Sequence, residues 1–238
     1  MARPIICARL KSPVSVVMRS LLLLLSLFAA LLATPALAGM EAGVLAFENE
    51  DFELATRELA PLAKAGNARA MTYMGRVQEQ QDKLTEALAW YLKAAQKGYA
   101  EAQTALGRLY DAGDGVERDE DKALAWYAKA AAQGDDEAQF ALGEHAEDDL
   151  NDNKAALQWY EKAATQGNVD AQYRLGLLLI DDESGIARDV PRAWMLLSLA
   201  AENDIDEAAR ARDVLELEME PVELRAAQKM LKDWQKKH

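Results

Sequence analysis

Covalent catalysis needs a nucleophile, a base to activate it and donors for the charge that develops. Beyond residue 38 this chain offers two serines, Ser184 and Ser198, neither set in Gly-x-Ser-x-Gly or Ser-x-x-Lys, and two histidines, His145 and His238. The single cysteine, Cys7, lies in a basic leader, so the remainder has no thiol for a nucleophile, a thiolate metal site or a disulfide. No histidine pair is available for zinc, and neither a phosphate-binding Gly-rich loop nor a dinucleotide fingerprint occurs. Acidic pairs abound, but carboxylates on solvated helix faces are the ordinary case. The residue inventory therefore reads as non-enzymatic, with no cofactor and no metal.

Charge narrows the partners further. Four of the 27 basic residues (Arg3, Arg9, Lys11, Arg19) and none of the 40 acidic ones fall in the first 38 positions, leaving 23 against 40 and a formal charge of −17 for the rest. A body this acidic repels nucleic acid and anionic lipid. The basic stretch precedes an apolar run over residues 20–33 and then Thr34-Pro35-Ala36-Leu37-Ala38, the pattern of an export signal cut before Gly39. As a helix the run would rise only about 21 Å, short of the roughly 30 Å hydrocarbon layer. The expectation is a leader over 1–38 and a periplasmic mature chain over 39–238 without stable membrane insertion; secretion, or anchoring by an uncleaved signal, is the alternative. Met18-Arg19 would open a compact leader by itself, which makes Met18 a second candidate start.

The elements that must position any site are visible as a repeat. A segment from Ala102 to the residue before Ala138, 36 residues long, recurs from Ala70, Ala138 and Ala171. Each copy carries Leu or Met before Gly, at Met74-Gly75, Leu106-Gly107, Leu142-Gly143 and Leu175-Gly176. Second halves match too: Trp90-Tyr91, Trp126-Tyr127 and Trp159-Tyr160 precede Ala94-Ala95, Ala130-Ala131 and Ala163-Ala164, followed by Gly98, Gly134 and Gly167. The fourth copy substitutes Leu196-Leu197 and Asp204 but keeps Ala200-Ala201. Asp51 to Gly66 fits one more second half, whose first helix would lie near 40–48.

Each copy reads as two helices. Ala102, Leu106, Leu109 and Tyr110 fall on one stripe, Gly107 allows a close helix crossing, and Ala123, Trp126, Ala130 and Ala131 form the facing stripe. Gly113 and Gly115 suit a turn, Asp119 caps the second helix, and Gly134 ends it. Asp51, Asn151 and Asp189 stand at the matching cap position, while Lys83 replaces it in one copy, with Asp82 as the substitute cap. Pro61 should kink or shift its helix. Pro221 opens a final helix with Leu224, Ala227, Leu231 and Trp234 on one face and Arg225, Lys229, Lys232 and Lys236 opposite, as a terminal cap requires.

These residues resemble the Sel1-like repeat signature across nearly all of 40–238. The resemblance implies an all-α, right-handed superhelical solenoid of antiparallel helix pairs, similar to tetratricopeptide repeats. Repeats are expected at about 40–69, 70–101, 102–137, 138–170 and 171–207, with capping helices over 208–238. It also implies a concave surface lined by first helices that binds a protein or peptide of the cell envelope. Frame positions two and six residues after each leading Ala are left free by the stripe: Thr72/Arg76, Thr104/Arg108, Phe140/Glu144 and Tyr173/Leu177. Thr72, Arg76, Thr104, Arg108, Phe140, Tyr173 and Leu177 are the candidate protein-binding groove, unless Phe140 and Tyr173 simply pack on neighbouring helices.

Two other features carry alternatives. His145 occupies the stripe position held by Val77, Leu109 and Leu178, so it is either a hydrogen-bonded interior histidine or, with Glu144, Glu147, Asp148 and Asp149, a weak cation site or pH switch. Residues 147–152 read as a solvated acidic turn. The Trp-Tyr steps place at least one ring of each pair in the core rather than in a ligand box. The leading function is a periplasmic adaptor or regulator. A cell-wall- or β-lactam-directed hydrolase is the alternative, since cysteine-rich members of the repeat class are linked to such chemistry, although their paired cysteines are missing here. A structural assembly factor of an envelope secretion or polysaccharide machine is the third.

Overall fold

The computed structural model describes residues 37–149 and 151–237, and among them every regular element is helical. The expected leader lies outside the described residues up to position 36. Helix α1 covers 37–48, reaching further back than expected. It is followed by α2 (Phe52–Lys64), α3 (Ala68–Gln80), α4 (Leu84–Ala95), α5 (Ala100–Ala112), α6 (Glu120–Ala131) and α7 (Asp136–Glu144). A π-helical turn over His145–Asp149 leads to α8 (Asn153–Thr165), α9 (Val169–Leu178), α10 (Val190–Ala201), α11 (Asp206–Glu218) and α12 (Pro221–Gln235). None of the described helices is long and apolar enough to cross a membrane.

Contacts divide the chain into two units, one ending at Val77 and one running from Gln78. In the first, Gly43 of α1 lies so close to α2 that an added Cβ would stand 2.5 Å from Leu59. Phe47 meets Phe52 and Tyr73 at 6.0 and 5.6 Å between ring centroids. Helix α2 continues through Pro61. The ring costs the Arg57 carbonyl its amide partner but does not end the helix.

In the second unit each helix from α4 to α10 packs on the next in sequence and α12 packs back on α10, so neither member of a pair buries its stripe alone. Ala102, Leu106, Leu109, Ala123, Ala130 and Ala131 are buried as expected. The ring that completes the facing stripe is Tyr127, not Trp126, and Tyr91 and Tyr160 are likewise interior. The Gly107 crossing explains the choice: a Cβ there would stand 2.5 Å from the Tyr127 ring, and Gly143 stands in the same relation to Tyr160. The tryptophans stay half-exposed under the lysine one turn on, with Lys93, Lys129 and Lys162 at 4.5, 3.8 and 3.8 Å from the rings of Trp90, Trp126 and Trp159.

Caps fix the helix starts. Asp51, Asp119 and Asp189 accept from the amides of Leu54, Lys122 and Arg192 at 3.0 to 3.2 Å. In α8 the cap is Asp152, which accepts from Ala155 N at 3.1 Å, whereas Asn151 takes a left-handed φ of 50°. Asp82 is likewise left-handed at φ 59°, so Lys83 precedes α4 without any side-chain cap. Repeat ends place Gly98, Gly134 and Gly167 at φ 85–95°, and Asp204 accepts the same role at 66°. Helices α11 and α12 close the array: Ala227 is buried, Leu224, Leu231 and Trp234 pack on the core, and Arg225, Lys229, Lys232 and Lys236 face solvent.

Candidate protein-binding face

Seven first-helix residues were expected to line a groove, and the two threonines do not. Thr72 is buried, its hydroxyl donating to the Ala68 carbonyl at 3.0 Å. Thr104 is also buried and donates to Asp135 Oδ1 at 2.8 Å, while Asp135 caps α7 through the Ala138 amide at 3.0 Å. Their polarity is satisfied inside the helix stack, where Thr104 ties one repeat to the cap of the next.

The remaining positions keep accessible surface. Arg76 lies over the Tyr73 ring at 5.0 Å. Arg108 is largely exposed and reaches Glu79 at 2.6 Å. Burial works against its charge, but the hydrogen bond and ion pair with Glu79 hold its pKa above the ordinary arginine value. Phe140 sits 5.8 Å from the Tyr160 ring, and Phe140, Tyr173 and Leu177 each rest one side on the core of the last repeats while remaining half-exposed. Both readings of Phe140 and Tyr173 thus describe part of each ring. Glu144 is half-buried, and burial first, then Asp148, Asp170 and Glu147 against the opposing Arg174, raises its pKa.

The acidic run is more than a solvated turn. Glu147 accepts the Tyr160 hydroxyl at 2.7 Å, and Arg174 approaches Glu147 at 3.6 Å and Asp148 at 2.9 Å. His145 also reaches the preceding pair, with Nδ1 3.3 Å from Glu120 Oε1. Among the described residues no group of three or more acids and histidines converges as a metal site.

A ladder of glutamines escaped the sequence reading. Gln103, Gln139 and Gln172, each following a leading Ala, are buried and donate to the carbonyls of Ala95, Ala131 and Ala164 at 3.3 to 3.4 Å. The side-chain oxygens of Gln103 and Gln139 accept from Gln133 and Gln166 at 2.8 and 2.9 Å. The signal was present as Gln after Ala in three copies and Gln before Gly in two.

The Sel1 repeat family model matches residues 68–99, 100–135, 136–168 and 169–205, each segment opening on the first residue of α3, α5, α7 or α9. A Sel1 repeat protein from Oxalobacter formigenes is 30% identical over 70% of this chain and 71% of its own, with a TM-score of 0.59. A protective antigen of uropathogenic Escherichia coli displaying an SLR fold is 25% identical with a TM-score of 0.58; the match takes in 84% of this chain, which spans only 53% of that one. A sel1 repeat protein from Klebsiella pneumoniae subsp. pneumoniae is similar in fold, at 17% identity over 76% of this chain and 93% of its own, with a TM-score of 0.52. No curated protein matches the chain.

Proposed function

The chain belongs to the Sel1 repeat family, whose members are generally non-enzymatic protein-interaction modules, and we propose that it serves as an adaptor or regulator in the bacterial periplasm. The observation that carries this reading is a contrast between frame positions. Packing positions hold recurrent residues, such as the buried Tyr91, Tyr127 and Tyr160. The positions two and six residues after each leading Ala hold Thr and Arg in the first two copies and change to Phe140/Glu144 and Tyr173/Leu177 in the next two, and Arg108, Phe140, Tyr173 and Leu177 among them keep accessible surface. Aromatic and arginine side chains with one exposed face are the usual anchors of a protein interface. Export is supported by the basic-apolar-small order of residues 1–38.

The test has two arms. Tagged protein recovered from envelope material should begin at Gly39 by mass. It should capture a defined envelope protein, and changing Phe140, Tyr173 and Leu177 together to Ala should weaken capture by about 2 kcal/mol or more per anchor lost. Helicity should be retained, with only a modest fall in melting temperature. Undiminished capture by the triple variant would refute the binding face; a full-length membrane-held form as the main species would refute export.

A further inference from the structure

Two of the three buried tyrosines of the Trp-Tyr steps share an arrangement that the third lacks. Tyr91 donates to Glu79 Oε2 at 2.7 Å, and Arg108 of the following first helix neutralises Glu79 at 2.6 Å. Tyr160 donates to Glu147 at 2.7 Å, with Arg174 of its following first helix at 3.6 Å from the same carboxylate. The acid stands nine residues after the leading Ala in both copies. In the fourth copy, where Leu197 replaces the tyrosine, Ile180 replaces the acid.

The middle copy keeps the ring and its glycine crossing and changes the polar groups around the hydroxyl. Tyr127 is 7% exposed, and its hydroxyl makes no hydrogen bond among the described residues. At the position of Glu79 and Glu147 stands Asp111, shorter by one methylene; at the position of Arg108 stands Glu144. Tyr127 instead lines a cavity of about 310 Å³. Around it lie the carboxylates of Asp111, Glu120, Glu144 and Asp148, against Arg118 and His145. Both cations sit on the outer carboxylates of the lining: Arg118, largely exposed, is 3.9 Å from Asp111, and His145 Nδ1 is 3.3 Å from Glu120. Arg174, outside the lining, is engaged by Asp148 at 2.9 Å and comes to 4.0 Å from Glu144. A buried ring whose hydroxyl faces this cavity thus shares it with the half-buried Glu144 and the more exposed Asp111, and no arginine stands at the frame position that Arg108 holds beside Tyr91.

We propose that this cavity binds an arginine side chain presented by a partner protein, whose guanidinium takes the place beside Tyr127 that Arg108 and Arg174 take beside Tyr91 and Tyr160. The forked donor set suits two carboxylates contributed by different helices, Asp111 on α5 and Glu144 on α7, and leaves an N–H for the Tyr127 oxygen. An ammonium, a compact point charge, matches that spread less well. The proposal rests on the protein-binding reading above and names the chemistry of the partner's anchor.

The probe is N-acetyl-arginine amide, titrated into the isotope-labelled protein and followed by amide chemical shifts, with N-acetyl-lysine amide as comparison. Saturable shifts at Asp111, Tyr127 and Glu144 that favour arginine are expected. Asp111→Asn combined with Glu144→Gln, which keeps shape, should weaken them about tenfold or more. Glu144→Arg supplies the guanidinium from within, so it should raise the melting temperature and abolish the response. Absence of saturable shifts, equal response to lysine, or an undiminished response in the isosteric double variant would each overturn the proposal. The titration decides this point independently of partner capture: loss of capture in the triple groove variant concerns the outer face, whereas loss of the arginine response concerns this cavity.

Discussion

The glutamine ladder ends on an unpaired atom, and that end makes the sharpest test of the packing. Gln172 is 2% exposed, and its Oε1 is the one buried side-chain polar atom without a partner among the described residues. In the two preceding copies the residue before the repeat-ending glycine is Gln133 or Gln166, long enough to reach back and donate. Here it is Asn203, one methylene shorter, whose amide closes on its own helix at the Leu199 carbonyl, 2.8 Å away. Asn203→Gln should let one amide serve both acceptors, as Gln133 does with Gln103 at 2.8 Å and the Lys129 carbonyl at 3.3 Å. An unsatisfied buried carbonyl costs about 1–3 kcal/mol, and fixing the extra torsion takes back about 0.5 kcal/mol. A net gain near 1 kcal/mol follows, or about 2–4 °C in melting temperature for a domain of this size. Circular dichroism melts of four proteins decide it: the parent, Asn203→Gln, Gln172→Leu and the double variant. The gain should vanish when Gln172 is absent, because the acceptor is gone. An unchanged melt for Asn203→Gln, or the same gain in the Gln172→Leu background, would refute the reasoning.

Two further outcomes follow from the crossings and caps. Gly107→Leu should destabilise by about 1–3 kcal/mol, because even its Cβ would meet the Tyr127 ring at 2.5 Å. Gly98→Ala, with nothing within 4 Å of its Cβ but a φ of 85°, should cost about 1–2 kcal/mol of stability through backbone strain alone; an unchanged denaturant melt for Gly107→Leu would displace the frame. Asp119→Ala should lose about 1 kcal/mol, and Lys83→Asp should gain a similar amount by supplying α4 with the cap its neighbours have. A neutral or destabilising Lys83→Asp in thermal melts would mean that the turn before α4 cannot present the carboxylate.

How much of this was legible in the sequence depends on whether the frame or a single side chain held the information. Helix pairs, close glycine crossings and most caps recur, so four copies specify them together. The Trp-Tyr step illustrates the limit. Both rings are apolar enough for a stripe, and helical spacing alone allowed Trp126 inside. One signal was the acid nine residues after the leading Ala, a glutamate with Tyr91 and Tyr160, replaced by Ile180 when Leu197 replaces the tyrosine. In those two copies it accepts the buried hydroxyl, whereas at Tyr127, which has no such acceptor, the close Gly107 crossing places the ring.

The threonines and the α8 cap failed for a related reason. Thr72 and Thr104 were placed on an open face because polarity normally marks exposure, yet a threonine can return its hydroxyl to the carbonyl four residues back and so travel into a core, as Thr72 does. Asn151 and Asp152 are adjacent and chemically alike as caps, and only the π-helical turn over His145–Asp149, which consumes a residue more per hydrogen bond than an α-turn, selects the second. Variation between copies therefore marks two different things. Where the changed residue closes its hydrogen bonds locally it joins the scaffold, as Thr104 does with Asp135. Where it breaks an arrangement that its neighbours retain, as Asp111 and Glu144 do beside Tyr127, the broken arrangement leaves a space with a defined chemical demand. The residues worth mutating first are those of the second kind.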